Sequence, residues 1–293
     1  MANQTLQNKN RHAYMIICHN NFEQLCLLLN LLDDERNDIY IHVDKKVKEP
    51  PFQMLKEAVR RSGLYFTKRV EVTWGGYSQI LSELSLLEAV AEGGYGYCHF
   101  LSGIDLPIKS QDYIHEFFDS LEGRQCVSFE RIENVLDRVR YYYPFQNLAG
   151  RKQGKIPQLL RKLQDFLVRL QRKLGFSRIK GREEMFYEGA NWVSVTGDFA
   201  SYIVKNRALA RKLFRWTHCA DELFVQTMLM NSPFKDHVHR ESTRFIDWQR
   251  GRPYTFTAED FELLMGSDKL FARKFEADKD AEIIRLISER LKG

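Results

Sequence analysis

Apolar and polar positions along the first 130 residues follow two alternating periods. A continuous apolar run at 13–18 is followed by apolar residues at helical spacing from 22 to 32, and a second apolar run at 38–44 ends on a carboxylate. The order then repeats, with strands predicted at 71–74, 95–101 and 125–129 and helices predicted at 78–91 and 111–121. This alternation predicts an α/β fold with a mostly parallel central sheet and helices on both of its faces.

The pattern changes between residues 151 and 182, where eleven lysines and arginines accompany a single acid, Asp165. From residue 157 onward this segment predicts a helix with one apolar and one basic side. Such a helix either packs its leucines on the domain or lies on an anionic membrane surface through 156–174, and the sequence leaves both alternatives open. Nucleic acid is disfavoured as a partner, because the apolar side carries one aromatic residue, Phe166, and no stacking platform accompanies it.

Composition and cysteine content narrow the class of protein. With 293 residues, 44% of them hydrophobic, the chain can bury one large core or two small ones. No stretch approaches the roughly 20 consecutive apolar residues of a membrane-spanning helix, and the start of the chain lacks the apolar centre of a secretory signal. The five cysteines are odd in number and include no Cys-x-x-Cys pair, which disfavours a disulfide framework and a zinc site. We therefore expect a cytoplasmic protein, at most peripheral to the inner face of the cytoplasmic membrane.

Two polar residues directly follow or end the first two predicted strands. His19 comes after the run at 13–18, and Asp44 ends the run at 38–44. Ligands bind at the carboxyl ends of the strands of an open α/β sheet, so we expect both residues at one rim of the sheet. On position alone, each is equally well interpreted as a ligand contact or as a solvated loop residue.

Two adjacent carboxylates, Asp221 and Glu222, precede the apolar residues of a helix predicted in the last third of the chain. Acidic residues in the first turn of a helix are favoured by the helix dipole, so a structural role is the simpler interpretation of an isolated pair. A carboxylate in this position can also act as a general base. Other motifs in the sequence are needed to distinguish between the two roles.

Six short motifs stand out in chain order. They are His42–Asp44, Trp74–Gly76, Ser102–Lys109, Glu188–Trp192, Asp221–Phe224 and Leu270–Phe275. Together they resemble the core-2/I-branching β-1,6-N-acetylglucosaminyltransferase family (glycosyltransferase family 14), which also contains the peptide O-xylosyltransferases. The resemblance runs from about residue 12 to 285, and the basic segment is its least similar part. It implies a bacterial-type member with a GT-A-like fold, a UDP-sugar donor and inversion at the anomeric carbon.

The resemblance also implies which carboxylate is the catalytic one. By family position Glu222 is the base that takes the proton from the attacking hydroxyl group. Burial against Phe224 and the neighbouring Asp221 is expected to raise its pKa toward neutrality. Asp221 then keeps the role of helix start and neighbour.

The resemblance further implies that the leaving diphosphate is stabilised without a metal ion or other cofactor. Most GT-A enzymes hold a metal with an Asp-x-Asp motif, and the literal match in this chain, at 278–280, is more simply the start of the last helix. Basic side chains take the place of the metal in the family. The matching positions here are Lys274 and Arg252, with Arg250 as the fallback in a shortened loop.

Substrate contacts follow from the same comparison of motifs. The donor-binding residues are expected to be His19, Asp44, Trp74, Gly75 and Asp105. The acceptor-binding residues are expected to be Glu188, Asn191, Trp248, Arg138 and Arg140. Trp192 is expected to belong to the core.

We interpret the chain as one GT-A-like catalytic domain, 1–293, with a nucleotide-binding half at 12–130, a basic insertion at 151–182 and an acceptor or catalytic half at 185–293. The implied reaction transfers a sugar, most simply N-acetylglucosamine, from a UDP-sugar to a glycan hydroxyl in bacterial surface polysaccharide or lipid-linked oligosaccharide synthesis. A xylosyl- or other hexosyltransferase of the same fold is the enzymatic alternative. A non-catalytic adaptor that binds glycan or lipid is the alternative from another class of protein.

Overall fold

The computed structural model describes residues 10–251 and 253–292, without the side chain of Asn134. The strands are β1 (His12–Cys18), β2 (Asn37–Val43), β3 (Gly63–Phe66), β4 (Tyr97–Ser102), β5 (Leu106–Pro107), β6 (Gln125–Cys126), β7 (Glu130–Arg131), β8 (Tyr187–Glu188), β9 (Ser194–Thr196), β10 (Val238–His239), β11 (Arg244–Ile246) and β12 (Phe271–Arg273). The α-helices are α1 (Phe22–Leu32), α2 (Phe52–Glu57), α3 (Ser78–Val90), α4 (Gln111–Ser120), α5 (Leu136–Arg140), α6 (Gln146–Ala149), α7 (Lys155–Lys173), α8 (Gly197–Lys205), α9 (Arg207–Phe214), α10 (Asp221–Met230), α11 (Phe261–Met265) and α12 (Ala281–Lys292). Short 3-10 helices span Ile132–Asn134, Glu183–Met185 and Ala258–Asp260.

Seven strands form the central sheet, in the order β10-β6-β9-β4-β1-β2-β3. β1 pairs in parallel with β2 and β4, β2 pairs in parallel with β3, and β6 pairs in parallel with β10. Only β9, among the strands of this sheet within the described ranges, runs antiparallel to its neighbours β4 and β6. The predicted mostly parallel α/β sheet is therefore confirmed, and it is consistent with a GT-A-like fold.

Two hydrophobic clusters cover the two faces of this sheet. Along β1, Met15 packs in the cluster that contains α3, α8 and α10, whereas Tyr14 and Ile16 pack in the cluster that contains α1, α4 and α12. Successive side chains of a strand point to opposite faces, so a strand that is buried on both sides reads as a continuous apolar run. The run at 13–18 has this pattern, and helices on both faces are confirmed.

The segment predicted as a strand at 71–74 is a loop, and that prediction is wrong. Its backbone groups go into a turn before α3, because the Thr73 N–H donates to Ser78 Oγ (2.8 Å) and the Gly76 N–H donates to the Thr73 carbonyl (3.0 Å). The strand beside β2 is instead β3, where Asp38 lies opposite Gly63. Residues 187–196 contain two short strands, β8 and β9.

The basic helix α7 attaches to the domain through its polar side. Gln164 is its buried residue, 5% exposed, and its amide donates to Gln146 Oε1 (2.9 Å). Leu159 and Phe166 are 66% and 59% exposed. The alternative in which the leucines pack on the domain is therefore wrong for most of this face. Within the described ranges, no helix is long and apolar enough to cross a bilayer.

Candidate active site

A cleft of about 700 Å³ opens beside the amino-terminal end of α10. It is lined by Ser128, Phe129, Glu130, Glu188, Gly189, Ala190, Asn191, Trp192, Glu222, Arg240, Ser242, Arg244, Ile246, Trp248, Pro253 and Arg273. The antiparallel strand pair β7–β8 forms one wall and sets Glu130 opposite Glu188. The structure thus brings four of the predicted residues, Glu188, Asn191, Glu222 and Trp248, to one polar cleft that contains both acids and arginines.

Glu222 lies in the first turn of α10 and presents its carboxylate to this cleft. The side chain is 48% exposed and forms an ion pair with Arg138. The Gly189 N–H donates to the Glu222 carbonyl (2.9 Å), which fixes the helix start against the loop after β8. The expectation that Glu222 is buried against Phe224 is wrong, because Phe224, two positions further along the helix, points into the core. Arg138, predicted at the acceptor side, contacts the proposed base directly.

The burial expected of Glu222 is found at its neighbour, Asp221. Asp221 Oδ2 accepts from Gln79 Nε2 (2.7 Å) and from Asn191 Nδ2 (3.5 Å), while Oδ1 has no hydrogen-bond partner within the described ranges. Burial, and then the charge of Glu222, raise the pKa of Asp221 from its ordinary 3.8 to about 7. Asp221 therefore does more than begin a helix.

A second buried carboxyl group, Glu83 of α3, belongs to the same polar network. Its side chain is shielded from solvent, and burial, followed by the charge of Asp221, holds the pKa of Glu83 well above its usual range. Asn191 donates to Asp221 Oδ2 at 3.5 Å, and its amide also opposes the rise in the pKa of Glu83. Like charges that are buried together favour protonation of at least one member, so this network holds a proton near neutral pH. Asn191 thus lines the cleft and also anchors the network behind it.

Glu188 is the second carboxylate of the cleft with an altered titration. Burial raises the pKa of Glu188, Arg138 opposes the rise, and the charges of Glu222 and Glu130 add to it. A raised pKa in a cleft is typical of groups that exchange protons with a substrate. Glu188, predicted as an acceptor contact, is therefore also the second candidate for the base.

Arg273 of β12 is a cleft residue that the sequence did not indicate. It is 9% exposed, its guanidinium lies 4.0 Å from the centre of the Trp192 ring, and its Nε lies 3.4 Å from Asp105 Oδ1. Its Nη1 has no hydrogen-bond partner within the described ranges. Trp192 packs, partly buried, against the core as expected, and it also lines the cleft beside Arg273.

Asp105 acts on the cleft through Arg273. It is 1% exposed, and its carboxylate accepts from the Ser102 N–H and the Ser102 hydroxyl, both at 2.8 Å. The sequence predicted that Asp105 contacts the donor directly, and the burial of its carboxylate disfavours such a contact. Lys274, the neighbour of Arg273, donates to Glu276 Oε1 (2.9 Å) and is not among the residues that line the cleft.

The predicted donor-side residues gather at the carboxyl edge of the sheet, away from the cleft lining. The Asp44 N–H donates to the Cys18 carbonyl (3.0 Å), which sets Asp44 beside the exposed His19 at one rim, as predicted. The Asp44 carboxylate accepts from the Lys46 N–H (2.9 Å) and forms an ion pair with the Lys46 amine at 3.3 Å. A role for either residue in donor binding stays a prediction.

The Trp74-Gly75 turn connects this edge with the start of α10. Gly75 has φ +70°, and its carbonyl accepts from the Cys219 N–H (2.9 Å). The Trp74 ring lies against the guanidinium of Arg151, 3.6 Å from the ring centre, and is 42% exposed. The turn therefore has a structural function at the helix start, and its contact with the donor stays a prediction.

The loop that follows β11 carries the remaining predicted residues. Arg250 forms ion pairs with Asp247 (2.6 Å) and Asp260 (2.7 Å), so its guanidinium stabilises the loop and is poorly available for a diphosphate. Arg252 lies outside the described residues. Trp248 is 63% exposed at the cleft mouth, which suits a sugar-ring contact.

The structure places Arg140, the last of the predicted acceptor contacts, outside the cleft. Arg140 pairs with Asp137 at 3.5 Å and is not among the cleft-lining residues. In the part of the chain that the structure describes, no group of three or more His, Cys, Asp or Glu side chains is placed to hold a metal ion. The cations that the structure does place at the cleft are arginines.

Comparison with known proteins assigns the family. A sequence profile described as "Core-2/I-Branching enzyme" matches residues 12–264. The chain belongs to this family. The match covers the central sheet and the cleft residues other than Arg273, and it confirms the family resemblance. The sixth motif, Leu270–Phe275, lies beyond the matched residues.

The relatives of this core-2/I-branching family member are named as glycosyl-transferring enzymes. Xylosyltransferase 2 of Canis lupus familiaris is 25% identical over 311 residues, which cover 97% of this chain and 34% of the relative. A beta-1,3-galactosyl-O-glycosyl-glycoprotein beta-1,6-N-acetylglucosaminyltransferase of Bos taurus is 23% identical over 318 residues, 96% of this chain and 69% of the relative. The human protein of the same name numbered 3 is 22% identical over 326 residues, 96% and 68%. The chain spans about a third of the length of the xylosyltransferases it matches.

Proposed function

We propose that this family member transfers a sugar from a UDP-sugar to a hydroxyl group of a glycan, with inversion and without a metal ion. The observation that carries the proposal is that a half-exposed carboxylate, Glu222, lines the same cleft as Arg273, whose Nη1 has no hydrogen-bond partner among the described residues. One group suits the attacking hydroxyl, and the other suits the charge that develops on the leaving group. N-acetylglucosamine is the first candidate for the sugar, and xylose or a hexose is the alternative.

In the proposed reaction, the acceptor oxygen bonds to the anomeric carbon while Glu222 takes the hydroxyl proton. The bond between the anomeric carbon and the phosphate oxygen breaks, and UDP leaves with the electron pair. Arg273 offsets the negative charge of the diphosphate, and Lys274 and Arg252 are the further cations that the family register supplies. Arg138 orients the Glu222 carboxylate through their ion pair. Trp248 offers an apolar surface to the acceptor sugar at the mouth of the cleft.

The decisive experiment measures UDP release and sugar transfer from a panel of UDP-sugars, with and without chelator, for the wild type and Glu222→Gln. We expect Glu222→Gln to lower kcat by at least about 10²-fold, because the acceptor proton loses its recipient, while the Kd for UDP stays within about twofold. The matched control is Glu130→Gln, which removes another carboxylate of the same cleft. Loss of activity in chelator would contradict the metal-free mechanism.

The second candidate for the base is Glu188, because its pKa is raised within the same cleft. If Glu222→Gln retains turnover and Glu188→Gln abolishes it, the assignment moves to Glu188. Asp221 is not the next alternative, since its carboxylate is buried and bonded to Gln79. An adaptor without catalysis would bind glycan but release no UDP from any donor, in the wild type as in the variants.

A glycan carried on a lipid is the acceptor that we propose, and the exposed apolar side of α7 supports this choice. The test of this acceptor compares kcat/KM for a soluble glycan with kcat/KM for the same glycan on a lipid carrier. Equal kcat/KM for the two acceptors would remove the support.

A further inference from the structure

The helix α7 presents a stripe of large apolar side chains to solvent. We call this the apolar stripe: Ile156, Leu159, Leu163, Phe166, Leu170 and Leu174, all between 40% and 73% exposed. Exposed contiguous apolar surfaces of this kind are rare on soluble monomers and mark interaction sites. A groove of about 720 Å³ adjoins the stripe between Tyr142, Leu170 and Phe176. The surface therefore needs an occupant.

Basic side chains line one edge of this stripe. At about 100° per residue, Lys155, Lys162, Arg169 and Lys173 fall side by side on the helix, next to the apolar stripe. All four are exposed, and none of them has an ion-pair partner within the described ranges. We call these four residues the basic row. Long basic side chains beside an apolar stripe can reach lipid phosphates while the stripe enters the acyl region.

The side of α7 that faces away from the stripe is bonded to the domain. Arg161 donates to the carbonyls of Gly150 (3.1 Å) and Lys152 (2.8 Å), and Arg172 donates to Asp137 Oδ2 (2.6 Å). The amide of Gln171 donates to the Tyr142 carbonyl (3.1 Å). The helix is thus attached along its polar side, and its apolar side cannot turn inward without breaking these contacts.

The charges on the helix distinguish between a membrane and a second copy of the chain. The spacing of the stripe also fits a coiled-coil seam, in which the basic row would occupy the flanking positions. In an antiparallel pair of α7 helices the two basic rows would face one another, and in a parallel pair each basic row would face leucines of the partner. The only acid of the helix, Asp165, lies away from the stripe and cannot pair with the basic row of a second copy. Neither arrangement pairs the charges, whereas an anionic lipid surface pairs all of them.

We propose that α7 is an interfacial anchor, which inserts the apolar stripe into an anionic membrane while the basic row binds the lipid phosphates. The anchor does not depend on the proposed reaction. Through Asp137 the helix is bonded to α5, which carries Arg138, so membrane contact brings the wall of the cleft close to the lipid surface.

The test is flotation of the full chain with vesicles of phosphatidylcholine alone and of phosphatidylcholine with phosphatidylglycerol. The wild type should float with the anionic vesicles, and reversal of the basic row (Lys155→Glu, Lys162→Glu, Arg169→Glu, Lys173→Glu) should weaken partitioning by at least about a hundredfold. The matched control reverses four exposed bases elsewhere, at Lys56, Arg60, Lys235 and Arg290, with the same change in net charge. Equal loss in both variants would show an unspecific charge effect and overturn the proposal.

Insertion of the stripe is tested separately with Phe166→Trp. Its fluorescence difference from the wild type should shift to shorter wavelength on anionic vesicles, and Leu159→Ser with Leu163→Ser should abolish flotation with unchanged helix content. An unshifted spectrum overturns the proposal, as does a stripe-dependent dimer that ignores vesicles. Glu222→Gln should float like the wild type, so that failure of the anchor and failure of the proposed catalysis remain distinguishable.

Discussion

Asp221→Asn should stabilise the protein at alkaline pH, because it removes a buried negative charge. The wild-type carboxyl has its pKa raised from 3.8 to about 7 by burial and by Glu222. Between about pH 4 and pH 7 the folded protein therefore holds a proton that the unfolded chain has lost, and the free energy of unfolding falls as the pH rises. A rise of this size corresponds to about 4 kcal/mol, at about 1.4 kcal/mol per pH unit.

The net gain is smaller than that figure, because an asparagine amide at the position of Oδ1 finds no acceptor there unless Glu83 turns toward it. A buried donor without a partner costs about 1–3 kcal/mol, so the net stabilisation expected at pH 8 is about 1–3 kcal/mol. Gln79 keeps its acceptor, since the asparagine oxygen takes the place of Oδ2. At pH 5, where Asp221 is already protonated in the folded state, little or no gain is expected.

Urea unfolding at pH 5 and pH 8 measures this difference. The control is Asp198→Asn, which removes an exposed carboxylate from the equivalent first turn of α8 and should not stabilise at either pH. If Asp221→Asn changes the free energy of unfolding by the same amount at pH 8 as at pH 5, the buried charge does not limit stability, and the proposed role of the network is wrong. Glu83→Gln removes the other buried carboxyl group and should reduce the remaining pH dependence of the free energy of unfolding.

Two further predictions concern the turn before α3 and the mouth of the cleft. Gly75→Ala should destabilise the protein by about 2–4 kcal/mol, because φ is +70° and the new Cβ would lie 2.7 Å from Gln146 Nε2. The control Gly123→Ala, at φ +82° with free space around the new Cβ, should cost only about 1–2 kcal/mol. Equal losses of stability in thermal unfolding would contradict the steric part of this prediction. Trp248→Ala should leave the free energy of unfolding within about 0.5 kcal/mol of the wild type and raise the KM for the acceptor about tenfold. If the KM for the UDP-sugar rises instead, Trp248 contacts the donor.

The sheet was predictable where local pattern and burial agree. β1, β2 and α1 follow apolar runs and helical spacing that need no knowledge of distant residues, and α10 begins at Asp221 as predicted. The segment at 71–74 looked like a strand, but a β-like sequence next to two glycines has no partner strand when its backbone groups bond the following turn. β3, with Gly63 at its start, was missed because its pairing with β2 and the packing of Leu64 and Phe66 depend on residues distant in the sequence.

The site was predictable in its elements and less so in its orientations. The family resemblance predicted site roles for four residues that line one cleft: Glu188, Asn191, Glu222 and Trp248. It could not predict which of Asp221 and Glu222 is buried, because Asp221 is bonded to Gln79, which is distant in the sequence. Arg273 was missed for the same reason, since its environment is made by Asp105 and Trp192 from two other segments. The one signal available was the adjacent pair of bases in Leu270–Phe275, of which the register favoured Lys274.

The hydrogen bonds around the start of α10 bear on how substrates reach the cleft. Gln79 and Gly75, from the amino-terminal part of the chain, bond Asp221 and Cys219 directly, and the Tyr143 N–H donates to the Trp216 carbonyl (3.0 Å). A hinge between the two halves would have to break these bonds and expose Asp221 to water. We therefore expect the sheet and the start of α10 to keep their relative positions when substrates bind.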